Sequence, residues 1–244
     1  MKGMKRTGLF VTGTDTGVGK TLITAGLAYA LRARGIDVGV MKPVETGCHE
    51  RNGRLHPVDA LMLREAAGSR DALDLINPYR FCEPLAPMVA AERSRRSIDV
   101  ERLLERFRRL ADRHTVMLVE GAGGILVPIT DKLSFLDLAV RLQLPVLIVI
   151  GSRLGALNHA RLTVELARAT RVPIAGAIVN RTTAERSLAA TTNLSALRRL
   201  LPIPIHGEIP YLETIRGRAL WCSPVLRRIL ASYVDELFSE PMRR

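Results

Sequence analysis

Residues 13–21 read Gly13-Thr14-Asp15-Thr16-Gly17-Val18-Gly19-Lys20-Thr21, between an apolar run ending at Thr12 and a helical pattern over 21–34. Few local patterns restrict a fold so tightly. A glycine-rich turn that leaves a strand and closes on Gly-Lys-Thr aims backbone N–H groups and the positive end of a helix at one point. Phosphate oxygens bind at such a point. In this arrangement Lys20 reaches the β- and γ-phosphates of a nucleotide, and the Thr21 hydroxyl ligates Mg²⁺. Gly17, Val18, Gly19 and Leu22 supply the backbone around them. A plain glycine-rich turn before a helix is the bland alternative, but strand, loop, Gly-Lys-Thr and helix all occur here in order.

The remaining chain repeats the strand–helix alternation. Short continuous apolar runs at 8–12, 37–41, 116–120, 145–150, 174–180 and 203–209 predict strands covered on both faces. Helical patterns lie between them. Val100, Leu103, Leu104, Phe107, Leu110 and Ala111 recur at threes and fours, 157–171 repeats the arrangement, and Ser223-Pro224 opens a helix over 223–238. Strands alternating with helices imply right-handed parallel crossovers. The expected fold is α/β: a doubly wound, mostly parallel sheet with helices on both faces, of the P-loop NTPase type. No linker or repeat divides the chain, so residues 1–244 are expected to form one domain.

Composition excludes several classes. With 47% hydrophobic and 25% charged residues, the chain is not intrinsically disordered. Its apolar runs fall far short of the roughly 18 residues of a membrane span. Three scattered cysteines, Cys48, Cys82 and Cys222, suit neither a disulfide framework nor a zinc site, and fit a reducing cytoplasm. The basic start runs into a strand without an apolar segment, so no secretory signal is expected. The net charge is +12, from 31 Arg and 5 Lys against 24 acids. That balance raises nucleic-acid binding, but the arginines are spread along the chain and aromatics are only 4%, so no specific nucleic-acid partner is expected.

Other candidates lie where strands end, because ligands of an open parallel sheet bind outside the carboxyl ends of the strands. Lys42 follows the strand 37–41. In a chain that uses arginine for surface charge, it reads as a demand for a compact cation. About 4 Å from an anion, such a cation is worth roughly 4 kcal/mol at an effective dielectric of about 20. Glu120, ending the strand before Gly121-Ala122-Gly123-Gly124, is a natural Mg²⁺ partner facing the phosphate loop. Asp59 is a second, against its plainer reading as the N-cap of a helix at 60–67. Asn180, at another strand end, offers an amide to a nucleobase. Asn158 and His159 follow Gly151 and Gly155 at a helix start suited to a carboxylate, although His159 reads more readily as a capping or interface residue.

Together these pieces resemble the dethiobiotin synthetase family over most of residues 8–215. The motifs are Gly13-Thr14-Asp15-Thr16 with Gly19-Lys20-Thr21, Lys42-Pro43-Val44, Asn77-Pro78-Tyr79 with Glu83-Pro84, Glu120-Gly121-Ala122-Gly123-Gly124, Leu154-Gly155 with Asn158-His159, and Gly207-Glu208-Ile209-Pro210. Five residues separate Gly13 from Gly19, one more than in the usual phosphate loop, and the family shares that spacing. The resemblance implies an ATP- and Mg²⁺-dependent ligase that converts diaminopelargonic acid and carbon dioxide to dethiobiotin. A carbamate forms first, then a carbamic–phosphoric anhydride, and ring closure releases phosphate. It implies catalytic roles for Lys42, Lys20 and Thr16, and Mg²⁺ on Thr21, Asp59 and Glu120. ATP would contact Gly17 to Leu22, Asp59, Glu120, Gly121, Ala122, Gly123, Asn180, Arg181, Pro210, Tyr211 and Leu212. Substrate would contact Thr16, Lys42, Thr46 and Gly123, with Leu154, Gly155 and Asn158 serving the partner subunit of a homodimer.

Two other readings share the sheet and the loop. A partition-type ATPase switch would want lysine where Asp15 stands, and a DNA- or membrane-binding surface. An amidotransferase-type ligase would need a glutaminase domain, for which no chain is left over.

Overall fold

The computed structural model describes residues 8–184, 187–213 and 220–238. The basic start at 1–7, and 214–215 at the end of the resemblance, lie outside the described residues. β1 (Gly8–Gly13) leads through the phosphate loop into α1 (Lys20–Arg32), and the chain returns as β2 (Val38–Met41). An insertion follows, with β3 (Val44–Glu45), the β4 (His49–Arg51) and β5 (Arg54–His56) hairpin, α2 (Val58–Ala67), α3 (Leu73–Ile76), β6 (Tyr79–Arg80) and α4 (Pro87–Arg93). Regular alternation then resumes with α5 (Val100–Ala111), β7 (Val116–Gly124), α6 (Phe135–Leu142), β8 (Val146–Gly151), α7 (Ala156–Ala169), β9 (Ile174–Asn180), α8 (Leu188–Leu200) and β10 (Ile205–Ile209). A 3₁₀ turn and α9 (Pro224–Phe238) follow.

The six long strands form one sheet in the order β10-β9-β8-β1-β7-β2, and every pairing in it is parallel. Alternate residues face opposite layers. Phe10, Ile148 and Ile150 join a core with α5, α6 and α7, whereas Leu9, Val11, Leu147 and Val149 pack with α1, α2 and α9. The sheet is therefore doubly wound, as the continuous apolar runs predict. The antiparallel pair β4–β5 stands outside it.

Local chemistry sets the helix ends. Asp99 caps α5 by accepting from Glu101 N and Arg102 N, and Ser134 with Asp137 forms a capping box on α6. The helix expected over 157–171 stops at Ala169, and Arg171 takes a left-handed turn into β9. The strand expected to end at Glu120 continues to Gly124, since Gly13 pairs with Gly124 beyond a bulge. No helix among the described residues is long and apolar enough to cross a membrane.

Candidate active site

The carboxyl ends of β1, β2 and β7 open into a cavity of about 530 Å³. Of the residues singled out from sequence, Thr16, Gly17, Gly19, Lys20, Thr21, Lys42, Thr46, Asp59, Glu120, Ala122 and Gly123 line it. Glu45, Val127 and the stretch 84–87 line it too, and sequence reasoning assigned them no role.

The phosphate loop is shaped by its neighbours. Gly19 caps α1 at φ +92, and a Cβ there would lie 2.1 Å from Asn180 Nδ2. Only glycine fits. Asn180 is buried and donates through Nδ2 to the Val18 carbonyl at 2.9 Å, so its amide nitrogen braces the loop. Its Oδ1 is buried without a partner. Asp15 accepts from Thr16 N at 2.7 Å and pairs with Arg153. The position that a switch ATPase gives to lysine is thus an acid tied to an arginine.

Lys20 Nζ donates to the Asp15 carbonyl at 3.2 Å. Burial pushes its ammonium down to about 8, and the charge of Lys42 adds to the shift. Lys42 is 3% exposed, and its Nζ meets Glu120 Oε1 at 2.5 Å, Asp59 Oδ2 at 2.9 Å and the Gly121 carbonyl at 3.3 Å. Burial pulls Lys42 down as well, but the Glu120 and Asp59 carboxylates outweigh it and hold the ammonium above its usual range. Asp59 is the mirror case, held below the usual carboxylate range despite burial by Lys42, Thr21 and Lys20.

The main chain at Lys42 is fixed from the end of α3. Lys42 N donates to the Ile76 carbonyl at 2.8 Å, and Asn77 Nδ2 donates to the Lys42 carbonyl at 2.7 Å. The Asn-Pro-Tyr motif is therefore the clamp that sets the Lys42 backbone.

Thr21, Asp59 and Glu120 form an oxygen set that fits a hard cation. Thr21 Oγ1 donates to Glu120 Oε1 at 2.8 Å, while Glu120 Oε2 is buried without a partner. A buried, unpartnered carboxylate oxygen is costly unless something satisfies it. Among the described residues no group of three or more His, Cys, Asp or Glu is placed to hold a metal. An ion held here would complete its shell with waters and phosphate oxygens, as Mg²⁺ ordinarily does.

The plainer reading of Asp59 fails, because the N-cap of α2 is Pro57 and Asp59 lies inside the first turn. The β9–β10 pairing sets Ile209 opposite Asn180, with Arg181 N donating to the Ile209 carbonyl at 3.0 Å, so Arg181 and the stretch Pro210, Tyr211 and Leu212 leave from adjacent strand ends. They are not among the residues lining the cavity. Leu154, Gly155 and Asn158 also lie outside it, and Leu154 is 87% exposed. Glu45 was legible only as part of a string around Lys42; nothing local marks it.

A family model described as an AAA domain matches residues 7–219. The chain is 44% identical to the ATP-dependent dethiobiotin synthetase BioD of Anaeromyxobacter dehalogenans (strain 2CP-C), over 90% of this chain and 96% of that protein. It is 38% identical to the ATP-dependent dethiobiotin synthetase BioD of Thermodesulfovibrio yellowstonii, over 86% and 91% of the two chains. Among solved structures it resembles the cell division ATPase MinD of Pyrococcus furiosus, with TM-score 0.60, 18% identity, and coverage of 97% of this chain and 99% of that one. That likeness is one of fold.

Proposed function

The chain belongs to the dethiobiotin synthetase family and is an ATP-dependent ligase, and from that premise we propose the route by which its residues make dethiobiotin. One amine of diaminopelargonic acid adds to carbon dioxide, losing a proton and giving a carbamate. A carbamate oxygen attacks the γ-phosphorus of ATP and ADP leaves, which produces a carbamic–phosphoric anhydride. The second amine attacks the carbonyl carbon, phosphate departs, and loss of a proton leaves the cyclic urea.

The observation that carries this reading is the placement of Lys42. Its ammonium stays charged in the cavity that the phosphate loop and Lys20 also line. Of its three contacts, the one to the Gly121 carbonyl at 3.3 Å is the longest. A carbamate oxygen replaces it at least cost. Thr16 and Thr46 line the same cavity and would donate to that anion. Lys20 and the loop amides would offset charge on the transferring phosphoryl group. Thr21, Asp59 and Glu120 would hold Mg²⁺, which when bound neutralises charge on the phosphate oxygens. Ring closure joins two groups of one molecule, so proximity supplies most of the help, and no general-base triad is needed.

We place Leu154, Gly155 and Asn158 at the substrate carboxylate of a second copy in a homodimer, which accounts for their exposure outside the cavity of their own chain. Phosphate release from ATP, measured with diaminopelargonate and bicarbonate and with each omitted in turn, tests the reaction. Strict dependence on both is expected; release indifferent to diaminopelargonate overturns it.

A further inference from the structure

We infer that Glu45 is a positioning residue, whose carboxylate supplies the N-terminal cap that α2 lacks and thereby holds the Asp59 carboxylate over the phosphate loop. The inference rests on the function proposed above for Asp59. The first amides of a helix have no partner within it, and a buried helix start must find acceptors elsewhere. Pro57 occupies the N-cap of α2 and offers no side-chain hydrogen bond. Glu45 fills the gap from another part of the chain. Its Oε1 accepts from Asp59 N at 2.9 Å, and its Oε2 accepts from Ala60 N at 2.9 Å.

The tether has a rigid root. Glu45 lies on β3, which pairs with β6, and its own carbonyl accepts from Phe81 N at 2.9 Å. The side chain is 5% exposed, so water does not compete for the two amides. Burial and the Asp59 charge push the Glu45 carboxyl up to about 7, while the Ala60 and Asp59 amides and the Lys42 charge favour the ionised form that suits the positive end of the α2 dipole. Asp59 is the amide donor itself, and its side chain reaches Lys42 on the cavity side. The same short segment that carries Lys42 therefore sets the position of the acid opposite it. Although Glu45 lines the cavity, both of its oxygens are engaged by backbone, which assigns it to holding the site and not to reacting in it.

Groups that orient metal-binding carboxylates typically shift metal affinity by about 10- to 100-fold when replaced. The test uses the full chain with Glu45→Gln, which keeps one acceptor, and Glu45→Ala, which keeps none. Two readouts are taken: backbone amide exchange at residues 59 and 60, and the Mg²⁺ concentration giving half-maximal turnover. In the unsubstituted protein both amides are expected to be protected. In Glu45→Ala both exchange at least about tenfold faster, and in Glu45→Gln one does, while later amides of α2 stay protected. Half-saturation by Mg²⁺ rises about 10-fold or more, with the KM for ATP at saturating Mg²⁺ unchanged. Unchanged exchange or unchanged Mg²⁺ dependence overturns the tether, as does a loss of turnover that merely follows the unfolded fraction. If neither variant folds, fast exchange at residues 59 and 60 in the unsubstituted protein overturns it by itself. Turnover indifferent to diaminopelargonate would instead refute the reaction, leaving the exchange result to decide the tether.

Discussion

Lys42 Nζ and Glu120 Oε1 lie 2.5 Å apart, joining the end of β2 to the middle of β7, just beyond the register pair Met41 and Val119. Glu120 is completely buried and Lys42 nearly so. Lys42→Ala would leave a buried carboxylate without its counter-charge, at a cost of about 3–5 kcal/mol. Denaturant unfolding measures that loss. On the folded fraction, turnover should fall by about 10²- to 10³-fold with ATP affinity within a few-fold of normal. Lys20→Ala should damage both. Near-normal turnover in Lys42→Ala would remove this ammonium from the reaction.

Lys20 predicts a pH dependence of nucleotide binding. Its ammonium loses a proton near pH 8 in the free protein, and a bound triphosphate raises that value. The bound state then holds more protons than the free one above about pH 8, so ATP affinity falls as pH rises, approaching tenfold per unit. Lys20→Arg, whose guanidinium does not titrate there, should give a flat profile between about pH 7 and 9.5. Calorimetric titration with ATP across that range distinguishes the two.

Asn77 holds the Lys42 carbonyl from a fully buried position. Asn77→Ala leaves that carbonyl without its donor, which should cost about 1–3 kcal/mol in unfolding free energy. Turnover should fall beyond the unfolded fraction, because the Lys42 backbone loses its clamp. A loss of stability with full specific turnover of the folded protein would refute the clamp.

Far from the cavity, His114 is bracketed by Asp37 at 3.0 Å and Asp71 at 2.7 Å. Burial raises the Asp71 carboxyl, but hydrogen bonds from Ser69, His114 and Arg113 outweigh it and hold the group below the usual range. A depressed folded-state value means that Asp71 stabilises the fold in full above about pH 4, and that the contribution disappears as pH falls through the folded value. Asp71→Asn should lower stability at pH 7 by about 1 kcal/mol and flatten the acid limb of the stability curve. Urea midpoints from pH 2 to 7 measure both.

The sequence by itself determined the sheet, the phosphate loop and the chemical identity of the charged groups. Strand length, helical period and the Gly-Lys-Thr closure are local, so they can be read without knowing what packs against them. Lys42 and Glu120 were legible because strand ends of a parallel sheet converge by topology. The tertiary structure alone decided what holds them. The Asn180 amide braces the loop carbonyl of Val18, 162 positions away, and Glu45 caps a helix that begins thirteen residues later. These contacts join segments whose local patterns say nothing of each other. A buried helix start without a capping side chain needs acceptors from somewhere, and only the folded chain brings Glu45 to Asp59.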